Sequence, residues 1–279
     1  MGKPGRALGL IRNRCESAAA PAWAHSVAER RSHTPAKLPS DRELMRRICI
    51  AIAYSQGARS AQIEPLIATA VFKHAFAGFD PDLLARRDPR LILKQHWSQL
   101  GHFRFKGKIR CIVQCAHVLN GIVRDCASFA AYLKSFQIPR RIRSAADLDR
   151  FWQRFDELQR DLKRRRMPFF SRTTSLLQLL LDLDYDSVKP DLIVMRLARR
   201  IGIVEREAGD PAFRQCVRFL QAYSIGKSCR ASELDLALLA FGGQTGAGPL
   251  LTQKFCPPSD PCRNTSCPLW QNRLCTARK

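Results

Sequence analysis

The stretch MPFFSRTTSLLQLLLDLDYDSVKPDLIVMRLARR, Met167–Arg200, decides the fold. Met167-Pro168 opens a turn. Ser171 or Thr173 can then cap a helix, because a side-chain oxygen there satisfies free first-turn amides. Leu176, Leu177, Leu179, Leu180, Leu181 and Leu183 cover most of that helix's circumference, which predicts that it is buried. The polar turn Asp184–Lys189 follows, and Pro190 suits the first turn of a second helix, where its missing N–H costs nothing. Asp191 stands at that helix's N-terminus, where free amides and the helix field favour an ionised carboxylate. Arg196, Arg199 and Arg200 lie on the same helix, among Leu192, Val194, Leu197 and Ile201. A fixed anion is therefore set near a cluster of cations. On these residues alone, Asp191 is either a plain helix cap or a site residue.

The order turn, buried helix, polar turn, then V-x-P-D-x-x-V-x-R-x-x-x-R-x-G over Val188–Gly202 resembles the core of the helix-hairpin-helix DNA glycosylases. The resemblance puts Asp191 on that family's catalytic aspartate and Met167–Ser175 on its hairpin. Phe169 and Ser171 stand where the family has glycines that let backbone amides approach a phosphate. Thr173 stands where bifunctional members carry a Schiff-base lysine. A hydroxyl forms no imine with a sugar C1′, so the resemblance implies a monofunctional enzyme. Upstream, AFAGFDPDLLA (Ala75–Ala85), LGHFRFKGKIRCIVQCAHVLNGI (Leu100–Ile122) and SFAAYLKSF (Ser128–Phe136) are similar, in order, to 3-methyladenine DNA glycosylase I. The likeness runs with gaps from about residue 44 to 203. Ala53 falls where that family has its base-reading glutamate, so specificity for 3-methyladenine is not carried over. Tyr54, Ser55 and Gln56 are the expected base-pocket residues.

Toward the C-terminus, Cys256-x5-Cys262-x4-Cys267-x7-Cys275 puts four of the 11 cysteines within 20 residues, in a loop that Pro257, Pro258, Pro261 and Pro268 keep non-helical. Four close thiolates are metal ligands in a reducing compartment, and zinc and a 4Fe–4S cluster both accept them. SELDLALLAFGGQ (Ser232–Gln244) and the P-C-x4-C-P-x6-C order resemble the last helix and the cluster loop of endonuclease III-type glycosylases, although all three gaps differ. The resemblance implies a 4Fe–4S cluster on Cys256, Cys262, Cys267 and Cys275, with structural zinc as the alternative. Cys49, Cys111, Cys115, Cys126, Cys216 and Cys229 read as small apolar helix residues.

Toward the N-terminus, Leu44, Ile48, Ile52 and Ala53 recur at helical spacing from Asp41. Helices are predicted over Ser60–Ala77, Pro81–Ala85 and Pro89–Trp97, and another follows the turn at Gly101 with Ile109, Ile112, Val113, Ala116 and Leu119 on one face. Arg104, Lys106, Lys108 and Arg110 crowd the start of that helix against its dipole, as a solvated run or a phosphate-facing set. Residues 144–166 form an amphipathic helix ending in Lys163-Arg164-Arg165-Arg166. Two more helices are predicted around Phe213–Tyr223 and Ser232–Phe241. Arg165, Arg166, Ser171, Arg172, Thr173 and Arg196 are the expected DNA contacts. Residues 1–40, rich in Arg, Ala, Ser and Pro without a period, are expected to be a disordered basic arm, and Met45 stands as an alternative start.

Lys+Arg is 47 against 24 Asp+Glu, a net charge of +23, and the simplest partner for that excess is nucleic acid. No apolar run reaches the roughly 18 residues of a membrane span. The odd cysteine count and the lack of a signal-peptide pattern point to a reducing cytoplasm, with nucleoid association. The expectation is thus an all-α protein of two helical lobes, the N-terminal helices returning to the C-terminal half. It has a helical glycosylase-like domain over 41–255, with its hairpin and aspartate in 167–200, and a cysteine loop over 256–279. The resemblance implies a monomeric DNA N-glycosylase that flips a damaged or mismatched base from double-stranded DNA. The alternative is an inactive glycosylase-fold protein that recognises damaged or unusual DNA.

Overall fold

The computed structural model describes residues 2–18, 20–32, 38–227, 229–243, 255–256 and 264–276. Every regular element among them is helical. In chain order they are α1 (Lys3–Ala18), α2 (Ala20–Ser32), α3 (Asp41–Tyr54), α4 (Ser60–Ile67), α5 (Ala70–Ala75), α6 (Pro81–Ala85), α7 (Pro89–Leu100), α8 (Gly107–Cys126), α9 (Phe129–Ser135), α10 (Ala145–Arg164), α11 (Thr173–Asp182), α12 (Leu192–Arg200), α13 (Asp210–Ser224), α14 (Ala231–Gly242) and α15 (Pro268–Gln271). Local chemistry sets many of the starts. Ser40, Thr69, Asp80, Asp88, Ser128 and Asp191 each accept a first-turn amide. The single helix expected over Ser60–Ala77 is two. Pro65 removes an amide from the ladder, and the Thr69 hydroxyl, accepting from Phe72 N, starts a fresh helix.

The chain forms two compact units. One gathers Ala36–Ile138 and Arg154–Arg172; the other gathers Met1–Pro35, Pro139–Gln153 and Thr173–Lys279. The first is built on α8, whose buried stripe Ile109, Ile112, Val113, Ala116 and Leu119 receives α3, α6, α7 and α9. Phe72, Phe76, Phe79 and Phe103 form an aromatic cluster there, with the Phe72 ring 5.1 to 6.0 Å from the other three.

The second unit is built on α14, which is apolar nearly all round and packs against α1, α2, α12 and α13. A Cβ on Gly242 would overlap the Ile193 side chain, so glycine lets α14 and α12 approach closely. The N-terminal segment corrects the expected disordered arm: Lys3–Ala18 and Ala20–Ser32 are helical. Ala7, Leu8, Ile11 and Cys15 recur at helical spacing, are at most 1 % exposed, and form a stripe against α14 and α15. The interspersed arginines conceal that stripe in the composition. The Cys15 thiol donates to Ala237 O at 3.7 Å, and burial pushes it up to about 12, so it stays a protonated packing residue.

Leu8→Ala leaves a cavity under α1 and is expected to cost about 2–5 kcal/mol by urea denaturation. An unchanged midpoint would remove α1 from the core.

Candidate functional site

The unit built on α8 holds a pocket of about 560 Å³. Its wall comes from three segments: the end of α3 with Ser55 and Gln56, the start of α8 with Phe105, Gly107, Lys108 and Cys111, and the turn before α11 with Pro168, Phe169 and Arg172. The backbone is strained around it. Gln56, Arg104 and Phe169 hold φ of 55°, 66° and 61°, which costs a residue with a Cβ about 1–2 kcal/mol each. Phe169 thus holds a positive φ that a glycine would take freely. Two contacts fix that turn: the Cys115 thiol donates to Pro168 O at 3.6 Å, and Gln159 Nε2 donates to Ser171 O at 3.1 Å.

Lys108 is the unusual group. It is 3 % exposed, and Nζ donates to Ala53 O at 2.9 Å and Ser55 O at 2.7 Å. The charge opposes the dipole of its own helix but suits the carbonyl end of α3, where partial negative charge gathers. Burial and then the Arg104 guanidinium lower the ammonium to about 8. Cys111 is the pocket's thiol. A hydrogen bond from Cys115 and the nearby Arg172 charge lower it, against the effect of burial.

Asp191 lies in the other unit and is half-buried. One oxygen, Oδ1, accepts from Ile193 N at 2.9 Å and Val194 N at 3.0 Å. Oδ2 has no hydrogen bond to the described residues. The turn before it is locked from inside. Arg230 donates to Asp184 Oδ1 and Asp186 Oδ1 at 2.7 and 2.8 Å, and Arg141 Nη2 donates to Asp184 Oδ2 at 2.8 Å. Asp235 accepts from Lys189 N at 3.1 Å.

The far end of α12 faces the cysteine segment. Cys256, Cys267 and Cys275 are buried, and the fully buried Arg200 donates to Cys256 Sγ at 3.0 Å. Arg196 donates to Cys256 O, also at 3.0 Å. Burial raises the Cys267 thiol, and the charges of Cys256 and Cys275 act in the same sense. Sulfur donors beside a buried guanidinium suit a thiolate-held metal group. Among the described residues no group of three or more His, Cys, Asp or Glu closes into a metal site, and Cys262 lies outside those residues.

The sequence model described as methyladenine glycosylase matches residues 37–179, just over half of the 279. The chain belongs to the methyladenine glycosylase family. Membership carries a DNA glycosylase role and DNA binding with it. Comparison with curated proteins and with solved structures returns no match. No helix among the described residues is long and apolar enough to cross a membrane. The matched range holds the pocket; Asp191 and the cysteine loop lie beyond it.

Of the expected base-pocket residues, Ser55 and Gln56 are on the wall and Tyr54 is not. Of the expected DNA contacts, Arg172 is exposed on the pocket wall and Arg166 is exposed, with φ 58°. Arg165 is engaged internally, to Asp125 at 2.7 Å and Asp161 at 2.8 Å. Arg196 is turned to the cysteine segment, Thr173 is buried, and the Ser171 carbonyl accepts from Gln159. Phe105 and Cys111 were not singled out from the sequence as pocket residues. The one signal for Lys108 was a cation placed against a helix dipole.

Iodoacetamide at neutral pH is expected to label Cys111 ahead of Cys15, Cys49, Cys115 and Cys216, whose thiols burial raises. Arg172→Gln should slow that labelling a few-fold by removing the charge that favours the thiolate; peptide mass spectrometry decides.

Proposed function

We propose that the chain is a monofunctional DNA N-glycosylase of base excision repair. It removes a damaged or mismatched base flipped from the duplex. The observation that carries the reading is the strained pocket of about 560 Å³ within the family-matched residues, with room to admit a flipped nucleotide. Extrusion of the base costs a few kcal/mol of stacking, offset by backbone contacts from a chain of net charge +23. Arg166 and Arg172, exposed at the hairpin, are assigned phosphates.

In the reaction the C1′–N bond breaks and its electron pair leaves with the base. A water oxygen bonds to C1′, and a proton from that water passes to solvent or to a carboxylate. Asp191 is assigned the sugar: Oδ1 anchors α12, and Oδ2 is assigned to offset the positive charge that grows on the sugar and to orient the water. Thr173, on the hairpin, offers a hydroxyl and no amine, so strand cleavage through an imine at that position is not part of the assignment.

Cys256, Cys262, Cys267 and Cys275 are assigned a structural 4Fe–4S cluster, with zinc as the alternative. Such a group would crosslink the C-terminal segment, and Arg200 and Arg196 would tie that segment to α12.

Asparagine caps a helix as well as aspartate does, so Asp191→Asn keeps the fold. It is expected to lower base release from lesion-bearing duplex by at least about a hundredfold with duplex affinity kept. No release by well-folded wild type, with affinity retained, would support the alternative of an inactive protein recognising damaged DNA. Anaerobically purified protein is expected to contain iron and sulfide with broad visible absorption, lost in Cys267→Ala. Zinc without a chromophore would replace the cluster.

A further inference from the structure

The pocket's polar lining includes Ser55, Gln56, Lys108 and Arg172 among apolar and aromatic groups; among the described residues no carboxylate lines it. An ammonium carries three N–H donors. Two of those on Lys108 are met by Ala53 O and Ser55 O, and the third has no acceptor among the described residues. The ammonium also lies 5.9 Å from the centre of the Phe103 ring, and because Lys108 lines the pocket a ligand with a lone pair can accept its remaining N–H. Arg172 places a second cation on the same wall. Phe105 and Phe169 add ring faces on which a planar base can stack.

We infer that the pocket takes a neutral base presenting an exocyclic carbonyl oxygen to Lys108, as deaminated and oxidised bases do, and rejects purines made cationic by alkylation of a ring nitrogen. This rests on the pocket's being the base site of a glycosylase. The family description names methyladenine, and a ring-methylated purine nucleotide bears the positive charge that Lys108 and Arg172 oppose. With no lining carboxylate to offset that charge, the wall selects against the cation and for the acceptor.

The test is base release, by mass spectrometry, from duplexes carrying hypoxanthine, uracil or oxidised guanine and from duplexes methylated at purine ring nitrogens. Wild type is compared with Gln56→Glu, a same-shape change at an exposed lining residue that adds one negative charge. Wild type is expected to release at least one carbonyl-bearing base at least about tenfold faster than any methylated purine, and Gln56→Glu to shift that ratio about tenfold toward the cation. Faster release of methylated purines by wild type, with the ratio unmoved in Gln56→Glu, overturns the charge rule and leaves the glycosylase reading intact. If no duplex loses a base, the glycosylase reading fails, and thermal shift with nucleosides decides the pocket alone. Inosine is then expected to raise the melting temperature of wild type where a ring-methylated adenosine cation does not, and Lys108→Met to abolish the difference. Equal shifts by both nucleosides would overturn the inference.

Discussion

Two carboxylates taken out of water govern the unit that carries Asp191. Asp184 and Asp186 are 9 % and 4 % exposed, and a lone carboxylate so placed costs several kcal/mol. Arg230 bridges both and Arg141 takes the remaining oxygen of Asp184. Ile142 N and Gln221 Nε2 bond Asp186 at its carboxylate and its carbonyl, and Trp152 holds Gln221 in turn. The network draws α10, α13 and the segment before α14 onto one turn. Its geometric consequence is the path of residues 184–190: the Ser187 hydroxyl bonds Leu177 O, Lys189 N bonds Asp235, and Pro190-Asp191 begins α12.

The other unit relies on the opposite charge. The Lys108 ammonium bonds two carbonyls at the end of α3, and this brings the start of α8 beside Ser55 and Gln56. The third wall, the turn before α11, is tied to α8 through Cys115 and to α10 through Gln159. Strained residues persist only where neighbours hold them, and Gln56, Arg104 and Phe169 stand at or beside this wall. The donors and ring faces of the pocket are therefore set before any ligand arrives, and preorganisation of that kind lowers the cost of binding.

Much of the local structure was legible from residue order. The caps at Asp80, Asp88, Ser128 and Asp191, the proline starts of α6 and α7 and the leucine-rich α11 fall where their side chains dictate. Ser55 and Gln56, expected at a base pocket, line the pocket beside α8, and Tyr54, expected with them, does not. The α1 helix was not, because its apolar residues are spread among arginines and only α14 shows which face is covered. Arg165 is held by Asp161, four residues before it, and by Asp125, far away in the chain, and only the first of these pairs could be read from local spacing.

What the sequence determined by itself is the helical alphabet, the family and the excess of positive charge. Those depend on spacing of three or four residues, on ordered motifs and on composition. What only the tertiary structure decided is which polar groups are removed from water and what they meet there. Lys108 is one of four cations at alternate positions over 104–110, and Arg104, Lys106 and Arg110 remain exposed. It alone is buried, because packing α8 against α3 carries it to the two carbonyls that accept its protons. Coulomb and desolvation energies depend on distance in space, and no local pattern in the chain encodes that.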